Sequence, residues 1–291
     1  MSAATSPRIC CLGDVITDVV VRLERDPTRG TDTPATITSL RGGSAANVAV
    51  AVSAAGGIGR FVGSVGMDPA GDLLLADLLD NGVESFVARV GKTGTIVVLV
   101  DATGERSFLT DRGASVELAS IPPGVLDNVD LLHIPAYSFS EGPLAETAEQ
   151  IIGEAVEQEI PISISTSSVA VLKQYGREGF LSLLGAIRPD YVIANSDEYS
   201  YLMQGHPWIR EAGATVVTNG SRAAVVRSPD GREFRVTPEP TDVLDTTGAG
   251  DAFTGGFLVA RARGEDFDGA LKAGHQLAAT TLRSSGAGLA T

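Results

Sequence analysis

Asp245-Thr-Thr-Gly-Ala-Gly-Asp-Ala-Phe-Thr-Gly-Gly-Phe257 is the stretch from which the rest of this sequence can be ordered. Gly248 and Gly250 run into an acid, Asp251. A helical pattern follows, with Ala252, Phe253, Gly256, Phe257, Val259 and Ala260 on its buried side. Thr246 or Thr247 stands where a helix cap is expected. The N–H groups of Gly248, Ala249 and Gly250 would then converge on one point off the helix N-terminus, where the macrodipole favours phosphate. A carboxylate repels the anion such a cradle holds, so a plain phosphate site has no use for Asp251. A phosphoryl-transfer site does, because the attacking hydroxyl must be oriented and deprotonated. An aspartate with an ordinary pKa near ~4 is ionised at neutral pH and can accept that proton.

Outward from this motif, strands and helices alternate. Strands are expected at 130–134, 160–165, 190–194, 214–218 and 222–227, with helices at about 142–158, 178–187, 196–204, 250–262 and 267–283. Nearer the N-terminus a strand at 9–13 continues into the alternating residues 15–23. A small-residue helix at 47–55, a strand at 60–65 and a helix at 73–79, stopped by Asn81-Gly82, come next. This alternation predicts a Rossmann-like α/β fold, a mostly parallel sheet with helices on both faces. Thr95–Val100 is a β-branched run turned back by Ala102-Thr-Gly104, and residues 26–40 are rich in Thr and Pro. The excursions at 18–40 and 94–113 are expected to form a small β lid, within a single domain spanning 1–291.

The 291 residues are 43% hydrophobic and 20% charged, enough for a sizeable core. A formal charge of −14 argues against nucleic acid and anionic membrane as partners, which reward clustered Lys and Arg. Any anionic ligand must be met by a locally positive patch or by metal ions. Cys10 and Cys11 are neighbours in a strand and face opposite ways, so both are expected as reduced core thiols. Residues 1–7 lack a charged and an apolar leader region, and no apolar run reaches ~18 residues, so a cytoplasmic protein is expected. No Gly-x-Gly-x-x-Gly follows the first strand and no Gly-x-x-x-x-Gly-Lys-Ser/Thr occurs, which excludes a nicotinamide oxidoreductase and a P-loop kinase. His133, His206 and His275 share no metal-ligand spacing, and Trp208 reads as a surface anchor.

Residues 245–257 resemble the C-terminal signature of the ribokinase-like carbohydrate kinases, the phosphofructokinase B family. Two further matches fall in the family's order: Gly42-Gly-Ser-Ala-Ala-Asn47 with Gly63-Ser-Val-Gly-Met-Asp68, and Asn195-Ser-Asp-Glu198. The resemblance implies an α/β sandwich with a β lid over the sugar. It also implies ATP-dependent phosphorylation of a hydroxyl on a small sugar, with Mg²⁺ and with K⁺ as a further activator. Asp251 would be the base, with Gly248, Ala249 and Gly250 the anion hole. Asp18, Gly42, Gly43 and Asn47 would line the sugar pocket, with Asp18 gripping two hydroxyls; Asp14 is the competing acid, read from its place beside Gly13 as a solvated turn residue.

Asn195 and Glu198 would lie near the triphosphate, Glu198 reaching Mg²⁺ through water. Thr218 and Gly220 would belong to the nucleotide loop, where Ala223 replaces a final glycine. Asp245, with residues 283–288, would hold a monovalent cation. Two departures bear on the substrate: Ser44 stands where ribokinases proper carry lysine, and Ala136-Tyr137 stands where they carry a glutamate. A flatter substrate, as in a nucleoside kinase, is the alternative. A sugar-binding protein without catalysis is opposed by Asp251 and both signature glycines. The apolar lid is expected to seek cover in a homodimer formed lid to lid.

Overall fold

The computed structural model describes residues 6–204 and 209–283. The first half of the chain runs β1 (Arg8–Leu12), β2 (Ile16–Leu23), β3 (Ala35–Gly42), α1 (Ser44–Ala54), β4 (Ile58–Val65), α2 (Pro69–Asp80), β5 (Glu84–Arg89), β6 (Thr95–Val100) and β7 (Arg106–Asp111). The second half runs β8 (Leu131–Pro135), α3 (Pro143–Glu157), β9 (Ile162–Ser165), α4 (Val169–Tyr175), α5 (Arg177–Ile187), β10 (Tyr191–Asn195) and α6 (Ser196–Met203). It ends with β11 (Ala214–Thr218), β12 (Ala224–Arg227), β13 (Glu233–Val236), α7 (Ala249–Ala262) and α8 (Phe267–Leu282).

Nine strands form one sheet in the order β13-β12-β11-β10-β9-β8-β1-β4-β5. All pairs from β5 to β11 are parallel, and only β12 and β13 run antiparallel. Helices cover both faces. α1, α2, α7 and α8 pack with Ile9 and Cys11 in one core, while α3, α4, α5 and α6 pack with Cys10 and Leu12 in the other. The adjacent cysteines therefore enter opposite cores as free thiols, and burial pushes the Cys10 pKa up to about 12. No helix among the described residues is long and apolar enough to cross a membrane.

The chain leaves β1 toward β4 and β5 on one side and later fills β8, β9 and β10 on the other. Strand order thus reverses beside β1, and the crevice outside the carboxyl ends of β1 and β8 is where such a sheet receives a ligand. α7 is wedged above it. A Cβ on Gly255 would lie 2.5 Å from Ala51 Cβ, and one on Gly256 would lie 2.7 Å from the Ala273 carbonyl oxygen. These two glycines let α7 sit tightly between α1 and α8, which holds its N-terminus in a fixed place over the crevice.

A second sheet, β3-β2-β6-β7, stands off the first. β2 pairs antiparallel with β3 and parallel with β6. Its inner face turns Asp18, Val20, Ile96, Val98 and Phe108 toward the cavities beneath it. The alternate residues Val19, Val21, Val97, Leu99 and Leu109 lie on the outer face, with Val97 facing Val19 and Leu109 across the pairings.

Residues 9–23 do not form one strand. The chain turns at Gly13, φ 152°, where a Cβ would meet Ser138 Oγ at 2.6 Å, and β2 then starts the lid instead of prolonging the main sheet. Strands β5 and β13 and helix α4 are additional to the expected pattern. β5 and β13 are edge strands of mixed polarity, Glu-Ser-Phe-Val-Ala-Arg and Glu-Phe-Arg-Val, which carry little apolar periodicity.

Candidate active site

A cavity of about 880 Å³ opens between the lid and the carboxyl ends of the main sheet. Asp14, Asp18, Gly43, Ser44, Asn47, Asn195, Glu198, Thr218, Gly248, Gly250 and Asp251 all line it, drawn from five segments far apart in the chain. The lining set does not include Gly42, Gly220, Ala249 or Asp245.

Asp251 sits in the first turn of α7. Ser44 Oγ donates to its Oδ1 at 2.7 Å and Asn47 Nδ2 to its Oδ2 at 2.9 Å. Burial pushes its pKa up to about 6, Asp14 adds repulsion, and the two hydrogen bonds oppose the rise. The ordinary value expected from sequence is thereby corrected: this carboxyl is held above the usual carboxylate range because protein closes around it. The helix cap is corrected as well. Gly248, φ 76°, is the N-cap without a side-chain bond, because the N–H and Oγ1 of Thr247 both donate to Asp245 instead. The Ala249 N–H is taken by the Thr246 carbonyl oxygen at 3.3 Å. The N–H groups of Gly248 and Gly250 have no partner among the described residues, so the expected three-donor cradle is narrower than its sequence suggests.

Asn47 faces the cavity, but its side chain is engaged within the protein. Arg41 Nη1 donates to its Oδ1, and Arg41 Nε donates to Asp77 Oδ2 at 2.6 Å. The order Asp77–Arg41–Asn47–Asp251 turns the amide so that its NH₂ meets the carboxylate. Asn47 therefore aligns Asp251, and sugar hydroxyls would have to compete for it.

Asp14 is not a solvated turn residue. It is 7% exposed, and its Oδ1 is buried with no partner among the described residues, as is Asp18 Oδ1. The two glycines make room for these acids. A Cβ on Gly42 would fall 2.4 Å from the Asp18 carboxyl, and one on Gly43, φ 96°, would fall 2.4 Å from the Asp14 carbonyl oxygen. Burial pushes Asp18 up to about 6, with Asp14 raising it further and Arg41 lowering it. Two buried carboxylate oxygens lacking donors, side by side on a cavity wall, match a ligand rich in hydroxyls.

On the far wall Asn195 caps α6. Its Oδ1 accepts from the N–H groups of Asp197 and Glu198, while Glu198 Oε2 accepts from the Asn195 N–H at 2.9 Å and from Thr166 Oγ1 at 2.6 Å. Glu198 Oε1 takes Asn195 Nδ2 at 2.7 Å. With both oxygens already bonded, Glu198 fits a metal held through water and not one bound directly. Thr218 lies on the cavity wall, and Gly220, φ 55°, lies in an open turn beyond it.

Asp245 is buried under the lid, where Arg106 Nη2 approaches its Oδ1 at 3.1 Å and Arg22 Nη2 its Oδ2 at 3.7 Å. Two guanidinium groups repel a cation, so the side chain does not fit the monovalent-cation role expected of it. Residues 284–288 of that loop, like His206 and Trp208, lie outside the described residues. His133 is buried against Ser163, and burial holds its pKa down at about 3. His275 bonds the Val236 carbonyl oxygen behind α7. Neither lines the cavity.

Sequence reasoning missed Arg41 and Arg112. Arg41 follows from nothing in its spacing, since its partners are 6 and 36 residues away. Arg112 ends the lid at β7, a position with only loop character.

Two acids near 6 in one cavity have a kinetic consequence. If Asp251 must be ionised to take a proton and Asp18 to hold the acceptor, log kcat/KM should fall with a slope approaching two below about pH 6 and level off above pH 7. The sign follows from ionisation being the active form of both. An Asp18→Asn enzyme should lose one unit of that slope, and an unchanged slope of two would remove Asp18 from the ionisations that matter.

The pfkB family carbohydrate kinase model matches residues 6–291 of this chain. The chain is 28% identical over 289 residues to the ribokinase of Bacillus subtilis, covering 96% of this chain and 94% of that one. It is 30% identical over 292 residues to the ATP-dependent ribose-1-phosphate kinase of Halopiger xanaduensis, covering 96% and 93%. Among solved structures it superposes on the adenosine kinase of Sinorhizobium meliloti with a TM-score of 0.83 over 98% of this chain and 96% of that one, at 24% identity.

Proposed function

The chain belongs to the pfkB family of carbohydrate kinases and carries out ATP-dependent phosphorylation of a sugar or nucleoside; we propose that its acceptor is a primary hydroxyl of a small sugar or sugar derivative. The observation that carries this reading is Asp251, locked by Ser44 and Asn47 beside the free N–H groups of Gly248 and Gly250. The hydroxyl proton passes to the Asp251 carboxylate as its oxygen bonds to the γ-phosphorus and the bond to the ADP oxygen breaks. The two N–H groups, at the positive end of α7, stabilise the charge spread over the phosphoryl oxygens. Asp18 and Asp14 hold acceptor hydroxyls with their unpartnered oxygens.

Mg²⁺, brought in with ATP, would neutralise charge on the β- and γ-phosphates. Glu198 and Asn195 would hold its water shell. Any K⁺ activation would not come through the Asp245 carboxylate, which Arg106 and Arg22 already face. A nucleoside kinase is the second reading, favoured by the Tyr137 ring on the cavity wall where a flat base could lie. One experiment tests all of these: ATP consumption across sugars, sugar phosphates, sugar acids and nucleosides, with Mg²⁺ present or chelated, in Na⁺ or K⁺ buffer. Best turnover of a nucleoside would replace the sugar reading, Mg²⁺-independent turnover would remove the metal, and equal rates in both buffers would remove K⁺.

The outer lid face supports a homodimer. Val19, Val21, Val97, Leu99 and Leu109 form an apolar surface there, with Ile37 62% and Leu109 58% exposed. Light scattering at micromolar concentration should give twice the chain mass, and Leu109→Glu should return it to one. A wild-type monomer would refute the dimer.

A further inference from the structure

Five acids, Asp14, Asp18, Glu141, Glu198 and Asp251, line the main cavity, and Arg112 is the only Lys or Arg among the described lining residues. Its guanidinium is held in place. Nη1 donates to Ser140 Oγ at 3.1 Å and to the Tyr137 carbonyl oxygen at 3.4 Å, and its carbon lies 5.7 Å from the centre of the Tyr137 ring. Nε faces Glu141 Oε1 at 3.7 Å. Nη2 is buried with no hydrogen-bond partner among the described residues. A guanidinium nitrogen removed from water and left without an acceptor is costly, and such groups are rare in folded proteins unless a ligand supplies the acceptor.

The planar fork of arginine matches carboxylate and phosphate oxygens best, and bonds between opposite charges are about twice as strong as neutral ones. The acidic surroundings sharpen the point. Without Arg112 this cavity would repel any negatively charged acceptor, so a single oriented guanidinium decides whether one is admitted.

We propose that the acceptor carries an anionic group, a carboxylate or a phosphate, which the free Nη2 edge of Arg112 binds on the Tyr137 wall while a hydroxyl of the same molecule faces Asp251. This rests on the phosphotransfer reading above and narrows its substrate class. Hydroxyls go to the carboxylates, and the charged end goes to the one cation.

The test compares matched pairs that keep a free primary hydroxyl: gluconate with glucose, and ribose 1-phosphate with ribose, with adenosine as a third arm. The wild-type enzyme should favour one charged member over its neutral partner by ~10–150-fold in kcat/KM, the range for a charge-assisted hydrogen bond. Preference within the gluconate pair assigns a carboxylate, and preference within the ribose 1-phosphate pair a phosphate. Arg112→Gln should collapse that ratio toward one by raising the KM of the charged acceptor, and Arg112→Lys should restore part of it. Neutral sugar or adenosine turned over as well as the charged compounds would overturn the inference and leave the kinase reading standing. So would an effect of Arg112→Gln confined to the KM of ATP, which would give the arginine to the nucleotide. Turnover of none of the five would overturn both.

Discussion

Asp251→Asn is expected to lower kcat by roughly 10²–10⁴-fold while leaving the KM of ATP nearly unchanged. The amide keeps the shape of the carboxylate and can still accept from Ser44 Oγ, which holds the present side chain at 2.7 Å. It cannot take a proton. Asn47 would face an NH₂ in one of the two amide orientations, so the expected orientation puts the new carbonyl oxygen toward one donor and strains the other. Folding should not suffer. Burial raises the Asp251 pKa to about 6, so the ionised form is what the folded protein disfavours. The sign follows: above that pKa the folded protein holds a charge that burial opposes, and removing the charge should leave the melting temperature unchanged or raise it. Turnover within tenfold of wild type would take Asp251 out of the role of base. A fall in melting temperature alongside lost activity would make it a structural residue.

Asp18→Ala carries the second large effect. Its buried Oδ1 lacks a partner among the described residues, so an acceptor hydroxyl that bonds it gains a charge-assisted contact. Losing that contact costs about 1.5–3 kcal/mol, which is ~10–150-fold in the KM of the acceptor, with the KM of ATP unaffected. Gly42 supplies an internal control. The nearest atoms a Cβ at Gly42 would meet all belong to the Asp18 carboxyl, at 2.4–2.5 Å. Gly42→Ala in the wild type must therefore push Asp18 aside and raise the same KM, whereas in the Asp18→Ala background it should change little. That non-additivity is the signature of direct contact. Equal rises in both KM values after Asp18→Ala would show that Asp18 supports the lid and not the acceptor.

Much of this arrangement was legible in the residues. The 245–257 stretch announces its helix, its glycines and its acid within thirteen consecutive positions, where local rules suffice. The alternation of strands and helices likewise gave the parallel sheet, because buried strands and amphipathic helices each write their own period. What stayed hidden depends on distant partners. Asn47 belongs to Arg41 and Asp77 as much as to the cavity, and no spacing encodes that relay. Asp14 beside Gly13 has the look of a turn, but the packed start of α1, with Gly43 close to its carbonyl oxygen, leaves it buried. The raised pKa of Asp251 arises from protein closing over it, a property of the assembled fold. Edge strands β5 and β13 carry mixed polarity because one side of each has no neighbour.

The parallel pairing of β2 with β6 bears on how the molecule assembles in time. Residues 17–22 meet residues 95–100, and α1, β4, α2 and β5 all lie between them in the chain. Contacts of such long sequence separation carry a loop-closure cost that is met only after the intervening elements have collapsed onto the main sheet. The β2–β6 pairing should therefore order after the β1–β4 pairing during refolding and open before it in native fluctuations. In pulse-labelled hydrogen exchange the amides of that pairing would gain protection after those of β1 and β4, and a lid protected first would reverse that order. In a chain made from its N-terminus both halves of this roof exist before Asp251 does, so the lid can be complete before the cavity floor, and activity would return later than secondary structure.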